Sequence, residues 1–222
     1  MTAQTKKQPA INTRELLLAV GIMALVVLAS NILVQYPIHA VGNGEWLTWG
    51  AVSYPIAFLV NDLSNRRFGP AGARRVVYVG FLVAVCFSVL VASPRIAIAS
   101  GSAFLFSQLL DIAVFQRLRR RAWWLQPFVA SMIASALDTA IFFSFAFYCG
   151  KIPGLPYSIS ELLGIAGVAD QCMALPWTQL AIADYGVKAL LSVVAILPYG
   201  ALITFIKPLK PGDWSAGPLS RS

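Results

Sequence analysis

The chain has 222 residues, of which 58% are hydrophobic and only 12% are charged, and its mean hydropathy is +0.72. Soluble domains carry about 25% charged residues, so a fold this poor in charge cannot cover itself with polar groups and must meet lipid over much of its surface. The net charge of +8 does not indicate nucleic-acid binding, because the basic residues lie in short segments between long apolar runs, as they do in membrane proteins.

Six apolar runs approach the length of roughly 20 residues that a helix needs to cross a bilayer. They show no alternation of polar and apolar residues, so the strands of a barrel are not expected. The sequence therefore predicts an all-α integral membrane protein, a single-domain bundle of six transmembrane helices over residues 1–222, with tails at 1–15 and 207–222. In chain order the runs are Leu16–Val34, Trp46–Leu63, Val76–Ala92, Ile96–Phe115, Pro127–Tyr148 and Tyr185–Ile206.

The basic residues are distributed unevenly over the predicted connections. Of the 17 lysines and arginines, only Arg95, Lys151 and Lys188 fall on one predicted side, and the others fall in the tails and after the second and fourth runs. Because cytoplasmic segments are enriched in such residues, both termini are predicted to be cytoplasmic in a bacterial inner membrane. The predicted connection after the second run carries Arg66, Arg67, Arg74 and Arg75.

The longest predicted connection follows the fifth run. It contains Cys149 and Cys172, and the pattern leaves open whether they form a disulfide or stay free thiols. A capping-box pattern at Ser158 and Glu161 predicts a short helix there. Small residues four apart in the fourth and fifth runs, such as Ala130 and Ala134 or Ala136 and Ala140, predict close helix packing.

Asp138 is the clearest polar residue inside a predicted span. It lies about 16 Å along the fifth run, near the bilayer midplane, where a charged side chain costs about 2.5–3.5 kcal/mol. Ser131 and Ser135 share its helical face. Two interpretations stay open, namely that Asp138 handles a ligand or a proton, or that it is paired with another helix.

Two further aspartates lie toward the predicted inner ends of their spans. Asp111 follows Gln108 at helical spacing, and is predicted either to bind a ligand or to pair with a cytoplasmic arginine. Asp62 lies at the end of the second run, four residues before Arg66. An i,i+4 ion pair between them is the simpler interpretation, and a gate at the inner end of the pathway is the functional alternative.

The remaining candidates lie toward the predicted outer side. Asn31 and Gln35 share one face of the first span and can hydrogen-bond either a heterocycle or a neighbouring helix. Tyr54 can stack on a ligand or simply pack. Asp184 is predicted to cap the sixth helix and to pair with Lys188 at the outer mouth, as an ion pair or a gate.

Short stretches along residues 16–206 together resemble the queuosine precursor transporter family, once called a vitamin uptake transporter family. Their order and spacing carry the resemblance, since no single motif is decisive. They include Ser30 to Gln35, Trp49 to Ala51, Tyr54-Pro55, Phe58-Leu59, Asn61 to Leu63, Phe68-Gly69, Ala73 to Arg75, Gln108 to Asp111, Val114-Phe115, Arg117 to Arg119, Trp123 to Leu125, Pro127, Asp138 to Ala140, Ala183 to Tyr185 and Lys188.

The resemblance implies import of the 7-deazaguanine precursors of queuosine, 7-cyano- and 7-aminomethyl-7-deazaguanine. Their guanine-like edge offers adjacent N–H donors, which a carboxylate can accept in a planar pair. On this basis Asp138 is the first candidate partner and Asp111 the second. Asn31, Gln35 and Gln108 are expected at the carbonyl and ring nitrogens.

Two other functions compete with solute import. The first is the substrate-binding membrane subunit of an energy-coupling-factor importer, but the first run lacks the Ala-x-x-x-Ala surface that many such subunits use for docking. The second is a lipid-modifying enzyme, for which Asp62 and Asp111 are the only plausible dyad. The sequence shows no nucleophile elbow, Walker motif, dinucleotide fingerprint or metal-binding spacing. It thus predicts a non-enzymatic transporter with no cofactor or metal, whose partners are a small substrate and lipid, and it leaves a homo-oligomer open.

Overall fold

The computed structural model describes residues 13–33, 36, 49–91, 94–147 and 177–206. Within these ranges the chain is helical apart from short turns and contains no strand, which confirms the all-α prediction for this part of the protein. The described helices are α1 (Thr13–Leu33), α2 (Trp49–Val91), α3 (Pro94–Arg117), α4 (Leu125–Phe147) and α5 (Trp177–Leu202).

The surface of these helices is strongly apolar. Four segments are long and apolar enough to cross a membrane: Thr13–Ser30, Ala97–Arg117, Leu125–Phe147 and Thr178–Leu202. Large side chains such as Leu25, Ile182 and Leu197 are 69%, 72% and 76% exposed. Exposed apolar surface on this scale requires a hydrocarbon solvent, so the chain is a multi-pass membrane protein.

Helix α2 contains a sharp bend at Gly69, whose backbone lies at φ 72° and ψ −178°. This conformation is essentially restricted to glycine, and the following Pro70 suits the first position of a new helical segment. The prediction of a loop at Arg66, Arg67, Arg74 and Arg75 is therefore wrong, because these residues are helical on either side of the bend. The limb before the bend spans 49–68 and the limb after it spans 70–91.

The two limbs of α2 run in opposite directions along α3. In the first limb, Asn61 contacts the backbone of Gln108 and Asn65 that of Ile112, so residue numbers rise together and the helices are parallel. In the second limb, Gly80 faces Phe104, whereas Phe81 and Val85 face Gly101. Residue numbers therefore rise along the limb as they fall along α3, and the two helices are antiparallel. The bend at Gly69 thus reverses the chain.

One end of the bundle gathers several basic segments. Glu15 in the first turn of α1 accepts two hydrogen bonds from Arg67 beside the bend, at 2.7 and 3.1 Å. The hydrogen bond to Glu15 raises the pKa of the Arg67 guanidinium above its ordinary value. At the same end, Gly200 near the end of α5 packs against Trp123 in the turn between α3 and α4.

Burial lowers the pKa of Arg119 in that turn, and neighbouring Arg66 lowers it further. The side-chain amide of Gln126 donates to the backbone carbonyl of Arg121 at 3.1 Å and fixes the turn. The bend of α2, the start of α1, the α3–α4 turn and the end of α5 therefore lie together.

Helix α2 is the centre of the fold, because it contacts each of the other four described helices. The largest apolar cluster joins α1, both limbs of α2 and α3: Met23, Val27, Ala57, Ala73, Val76, Val77, Phe104 and Ile112. Ala130 and Ala134 are fully buried, as their spacing predicts. Ala136 and Ala140 are exposed instead, since they lie on the opposite face of α4.

Helix α5 begins at Trp177 rather than at the predicted Tyr185, so Asp184 lies inside the helix and does not cap it. The prediction failed because the polar residues Thr178 and Gln179 interrupt the apolar run without preventing helix formation. Cys149, Cys172 and the segment from Ser158 to Glu161 lie outside the described residues, as do most of both tails.

We expect Gly69→Ala to lower the free energy of unfolding by about 1–3 kcal/mol, because a Cβ is strained at this backbone conformation. No neighbouring atom lies within 4 Å of the place that this Cβ would occupy, so the cost comes from the backbone alone. Thermal unfolding in detergent measures it. Gly21→Ala in α1, which also has open space around it, is the matched control and should be neutral or slightly stabilising. Equal effects of the two substitutions would contradict the role of the bend.

Candidate functional site

A buried ion-pair triad joins α4 to α5. The ammonium group of Lys188 lies 2.8 Å from Asp138 and 2.5 Å from Asp184. Thr139 donates a hydrogen bond to Asp184 at 2.8 Å, and Ser107 of α3 donates to Asp138 at 3.3 Å. The Lys188 triad, comprising Lys188, Asp138 and Asp184, therefore ties α4 to α5 with charge-assisted bonds, and Ser107 links it to α3.

This geometry shows Asp138 paired with another helix. The residue is 3% exposed and is paired with another helix through Lys188, which is itself only 5% exposed. Lys188 contacts Asp184 one turn earlier, as their spacing predicts, and it is buried in the interface between α4 and α5. The carboxylate of Asp138 is thus engaged by a cation of the protein itself.

A second polar cluster lies between the first limb of α2 and α3. The side-chain amide of Asn61 donates to the backbone carbonyl of Gln108 at 3.1 Å and to the carboxyl group of Asp111 at 2.9 Å. One turn later, Asn65 donates to the backbone carbonyl of Ile112 at 3.3 Å. These bonds fix the position of α2 along α3 and hold Asp111 from one side.

Asp62 and Asp111 form an acid pair at the centre of this cluster. Their carboxyl groups lie within hydrogen-bonding reach of each other, and the residues are 2% and 0% exposed. Among the described residues neither forms an ion pair with Lys or Arg. One oxygen of each carboxyl group has no hydrogen-bond partner within the described part of the chain.

The predicted ion pair between Asp62 and Arg66 is therefore not formed in this structure. Arg66 instead lies beside Tyr199 of α5, near Arg119. Tyr199 is fully buried and also faces Asp62. The i,i+4 prediction was wrong because Asp111 and Tyr199, which approach from other helices, occupy the surroundings of these two side chains.

A narrow cleft opens beside Asp62 between the first limb of α2, α4 and α5. The cleft has a cavity volume of only about 10 Å³. That is room for about one water molecule, so the three helices are closely apposed in this conformation. The lining residues are Pro55, Phe58, Leu59, Asp62, Pro127, Ser131, Ser192, Ala195, Ile196 and Tyr199.

The cleft connects the two polar clusters. Asp62 of the acid pair lies in its wall, and Ser192, one turn beyond Lys188, lies in the same lining. Ser192 donates to the backbone carbonyl of Lys188 at 2.8 Å. Ser135 is buried between Ser131 and Asp138 along α4, and its hydroxyl has no partner among the described residues. Polar groups thus continue from Asp62 toward the Lys188 triad.

The structure separates the predicted site residues into three groups. Asp111, Gln108 and Asp62 come together around the acid pair, with Arg66 nearby, and Asp138, Asp184 and Lys188 form the triad. The two groups meet along α3, where Ser107 donates to Asp138 of the triad and the backbone carbonyl of Gln108 accepts from Asn61 beside the acid pair. The side chains of Asn31, Gln35 and Tyr54 lie outside the described part of the structure.

Sequence reasoning missed the aromatic residues of the cleft. Phe58 and Tyr199 lie within apolar runs and read as ordinary core residues, so only their position beside Asp62 distinguishes them. A signal for Asn61 and Asn65 was present, since they are one turn apart and flank Asp62. Their donor role depends on the facing carbonyl groups of α3, which the sequence does not reveal.

Comparisons with known proteins agree on one family. The family model described as "Putative vitamin uptake transporter" matches residues 48–93 and 87–203. A queuosine precursor transporter of Escherichia coli (strain K12) is 34% identical over 204 residues, covering 82% of this chain and 83% of that protein. A "Probable queuosine precursor transporter" of Haemophilus influenzae is 32% identical over 213 residues, with coverages of 82% and 83%.

A Bacillus subtilis protein with the latter name is 33% identical over 132 residues, covering 47% of this chain and 58% of that protein. No solved structure matches the chain. The family and these relatives are named as transporters and not as enzymes, in line with the expectation from the sequence.

We expect Lys188→Met to lower the free energy of unfolding by about 3–5 kcal/mol, because it removes the cation from between two buried carboxylates. Adding Asp138→Asn to this variant should restore part of the loss. Thermal unfolding in detergent measures both. Arg67→Met, which breaks the half-exposed pair with Glu15, is the control and should cost only about 0–1 kcal/mol. Similar losses in the two single variants would show that the buried triad does not hold α4 to α5.

Proposed function

Because the chain belongs to the vitamin uptake transporter family, we propose that it imports queuosine precursors across the bacterial inner membrane for salvage. The proposed substrates are 7-cyano-7-deazaguanine and 7-aminomethyl-7-deazaguanine. The observation that carries this proposal is the cleft at Asp62, in which a carboxyl group, hydroxyl groups and aromatic rings meet inside an apolar bundle.

Each part of the cleft suits a planar, guanine-like base. The carboxylate of Asp62 can accept two adjacent N–H groups in a planar pair, and one of its oxygens has no partner among the described residues. The buried hydroxyl of Tyr199 is likewise unpaired there. Phe58 supplies an aromatic surface, while Ser131 and Ser192 offer hydroxyl groups. A ligand lacking these polar groups would leave buried atoms unpaired and would be rejected.

This proposal changes the order of the candidate residues. Asp138 was the first candidate from the sequence, but its carboxylate is engaged by Lys188 at 2.8 Å. Asp111 was the second, but it lies behind Asn61 and Asp62 and does not line the cleft. Asp62 is the aspartate in the cleft lining, so it is the proposed partner of the base edge.

Substrate binding in this cleft requires the helices to separate. Ligand pockets usually measure about 300–1,000 Å³, whereas the present cleft has room for little more than one water molecule. We propose that α4 and α5 move away from the first limb of α2 to admit the base. The described conformation then corresponds to a closed state of the transport cycle.

We also propose that the two limbs of α2 cross the membrane separately, which gives six spans. A straight helix of 43 residues would be about 65 Å long, more than twice the roughly 30 Å of a hydrocarbon core. The limbs run oppositely along α3, so each can span once. The end that gathers Arg66, Arg67 and Arg119 is then the cytoplasmic one.

We expect cells that cannot make queuosine precursors to accumulate labelled precursor when they express this protein. Asp62→Asn should reduce uptake at least about tenfold, since a lost charge-assisted hydrogen bond costs about 1.5–3 kcal/mol. Uptake of each labelled precursor, at matched levels of protein in the membrane, measures this.

Glu15→Gln is the control, because it makes the same carboxylate-to-amide change at a half-exposed pair away from the cleft. It should transport normally. The host should lack any energy-coupling-factor module, so that uptake reports on this chain acting alone. Absence of uptake of both precursors by the wild-type protein would contradict the proposed function, and normal uptake by Asp62→Asn would contradict the proposed site.

A further inference from the structure

The acid pair differs from every other acidic site that the structure describes. Glu15 is paired with Arg67, and Asp138 and Asp184 are paired with Lys188. Asp62 and Asp111, although completely or almost completely buried, contact each other and form no ion pair within the described residues. Two adjacent carboxylates in a medium of low dielectric constant repel each other and cannot both remain ionised without a compensating cation.

The surroundings of the acid pair also have an excess of acceptors. Unpaired buried oxygens belong to Asn61, Asp62, Asn65, Gln108 and Asp111, whereas the unpaired buried nitrogens nearby are those of Gln108 and Arg66. The only hydrogen bond that an amide in the described part of the chain donates to either carboxyl group is the one from Asn61 to Asp111. Asn61 is fully buried and held against Asp111, and its own oxygen is unpaired. Acceptors therefore outnumber donors around the acid pair, which favours a bound proton.

Within the described residues, no neighbouring helix forms an ion pair with Asp62 or Asp111. Helix α5 contributes Tyr199, whose hydroxyl faces Asp62, and Arg66 and Arg119 lie beside Tyr199. Helix α3 contributes Asp111 itself and the backbone carbonyl of Gln108, which accepts a hydrogen bond from Asn61. Helix α4 contributes Pro127 and Ser131 to the cleft, neither of which is titratable. Asp62 opens into the cleft, so the pair has a route to the solute pathway.

We infer that the acid pair binds the proton that couples substrate import to the proton gradient, with Asp111 as its carrier and Asp62 as the link to the substrate. This inference rests on the proposed transport function and deepens it. A proton bound to an oxygen of Asp111 leaves one negative charge in the pair. That charge, on Asp62, is the acceptor for the N–H groups of the base.

The two ligands then favour each other's binding. Without the proton, enclosing the base against the acid pair would bury two adjacent negative charges away from water, which is unfavourable. With the proton on Asp111, the base-bound state holds one carboxylate and the base that is hydrogen-bonded to it. After the inner side opens, the base leaves Asp62 and the proton leaves Asp111, whose oxygen keeps the electron pair. Each cycle thus moves one base and one proton inward.

The neutral 7-cyano precursor provides the sharpest test. The membrane potential acts directly on the aminomethyl cation, by about 2.3 kcal/mol per charge per 100 mV, but not on the cyano compound. In proteoliposomes with the full-length chain and no potential, a pH lower outside than inside should drive accumulation of labelled 7-cyano-7-deazaguanine. About tenfold accumulation is expected for a gradient of about one pH unit. A pH-sensitive dye in the lumen should report acidification on addition of substrate.

Asp111→Asn tests the assignment of the site. The amide has the shape of the protonated acid, can still accept the hydrogen bond from Asn61, and cannot release a proton. The variant should retain exchange of labelled for unlabelled substrate across the membrane, which needs no net proton movement, and should lose accumulation driven by the pH gradient. Glu15→Gln should keep both activities. Asn61→Leu, which removes the donor that stabilises ionised Asp111, should shift accumulation toward higher pH.

Five outcomes would overturn the inference. Accumulation that does not depend on the pH gradient would exclude proton coupling, while the proposed transport function would stand. Accumulation that follows a sodium gradient instead assigns the acceptor cluster to a metal cation. A folded Asp111→Asn variant that still accumulates substrate in response to pH places the proton elsewhere, and one that loses exchange makes Asp111 part of substrate movement itself. Absence of any transport by the wild-type protein removes the proposed function, and the inference with it.

Discussion

A carboxyl group held away from water must be matched by a cation, by hydrogen-bond donors or by a proton. The interior of this bundle shows two different responses to that requirement. Around Asp138 and Asp184 the chain supplies Lys188, and the resulting triad fastens α4 to α5. Around Asp62 and Asp111 the described part of the chain supplies one amide donor, that of Asn61. The first cluster thus contains a cation of the protein itself, whereas the second contains none within the described residues.

The fold positions these clusters through α2. Its first limb carries both Phe58 and Asp62 into the cleft and places Asn61 and Asn65 against α3. Its second limb returns along the other side of α3 and packs with α1 into the apolar core. The polar residues of the first limb are thus held between helices, where lipid does not reach them. The exposed surface consists largely of aliphatic side chains, which the bilayer solvates.

Hydropathy and charge predicted an all-helical membrane protein, and the rarity of aspartate in apolar runs singled out Asp138 and Asp111. Those predictions rest on local composition, which the sequence displays directly. The ion pair between Asp138 and Lys188 joins residues that are far apart in the chain, and it depends on helix rotations that composition does not specify. Gly69 followed by Pro70 was interpreted as part of a loop, because arginines surround it. Phe58 and Tyr199 escaped notice because an aromatic residue in an apolar run is usually core.

Two asparagines of α2 form equally spaced hydrogen bonds to α3, and this spacing restricts how the two helices can slide. Asn61 and Asn65, one turn apart, donate to carbonyl groups that are also one turn apart. Sliding the first limb by a whole turn, about 5.4 Å, would bring one asparagine to the carbonyl that the other now uses. Smaller displacements would break both bonds in a medium that offers no water to replace them. Sliding of the first limb of α2 along α3 is therefore restricted to discrete steps. Asp62, which lies between Asn61 and Asn65 in the sequence, would move with the limb.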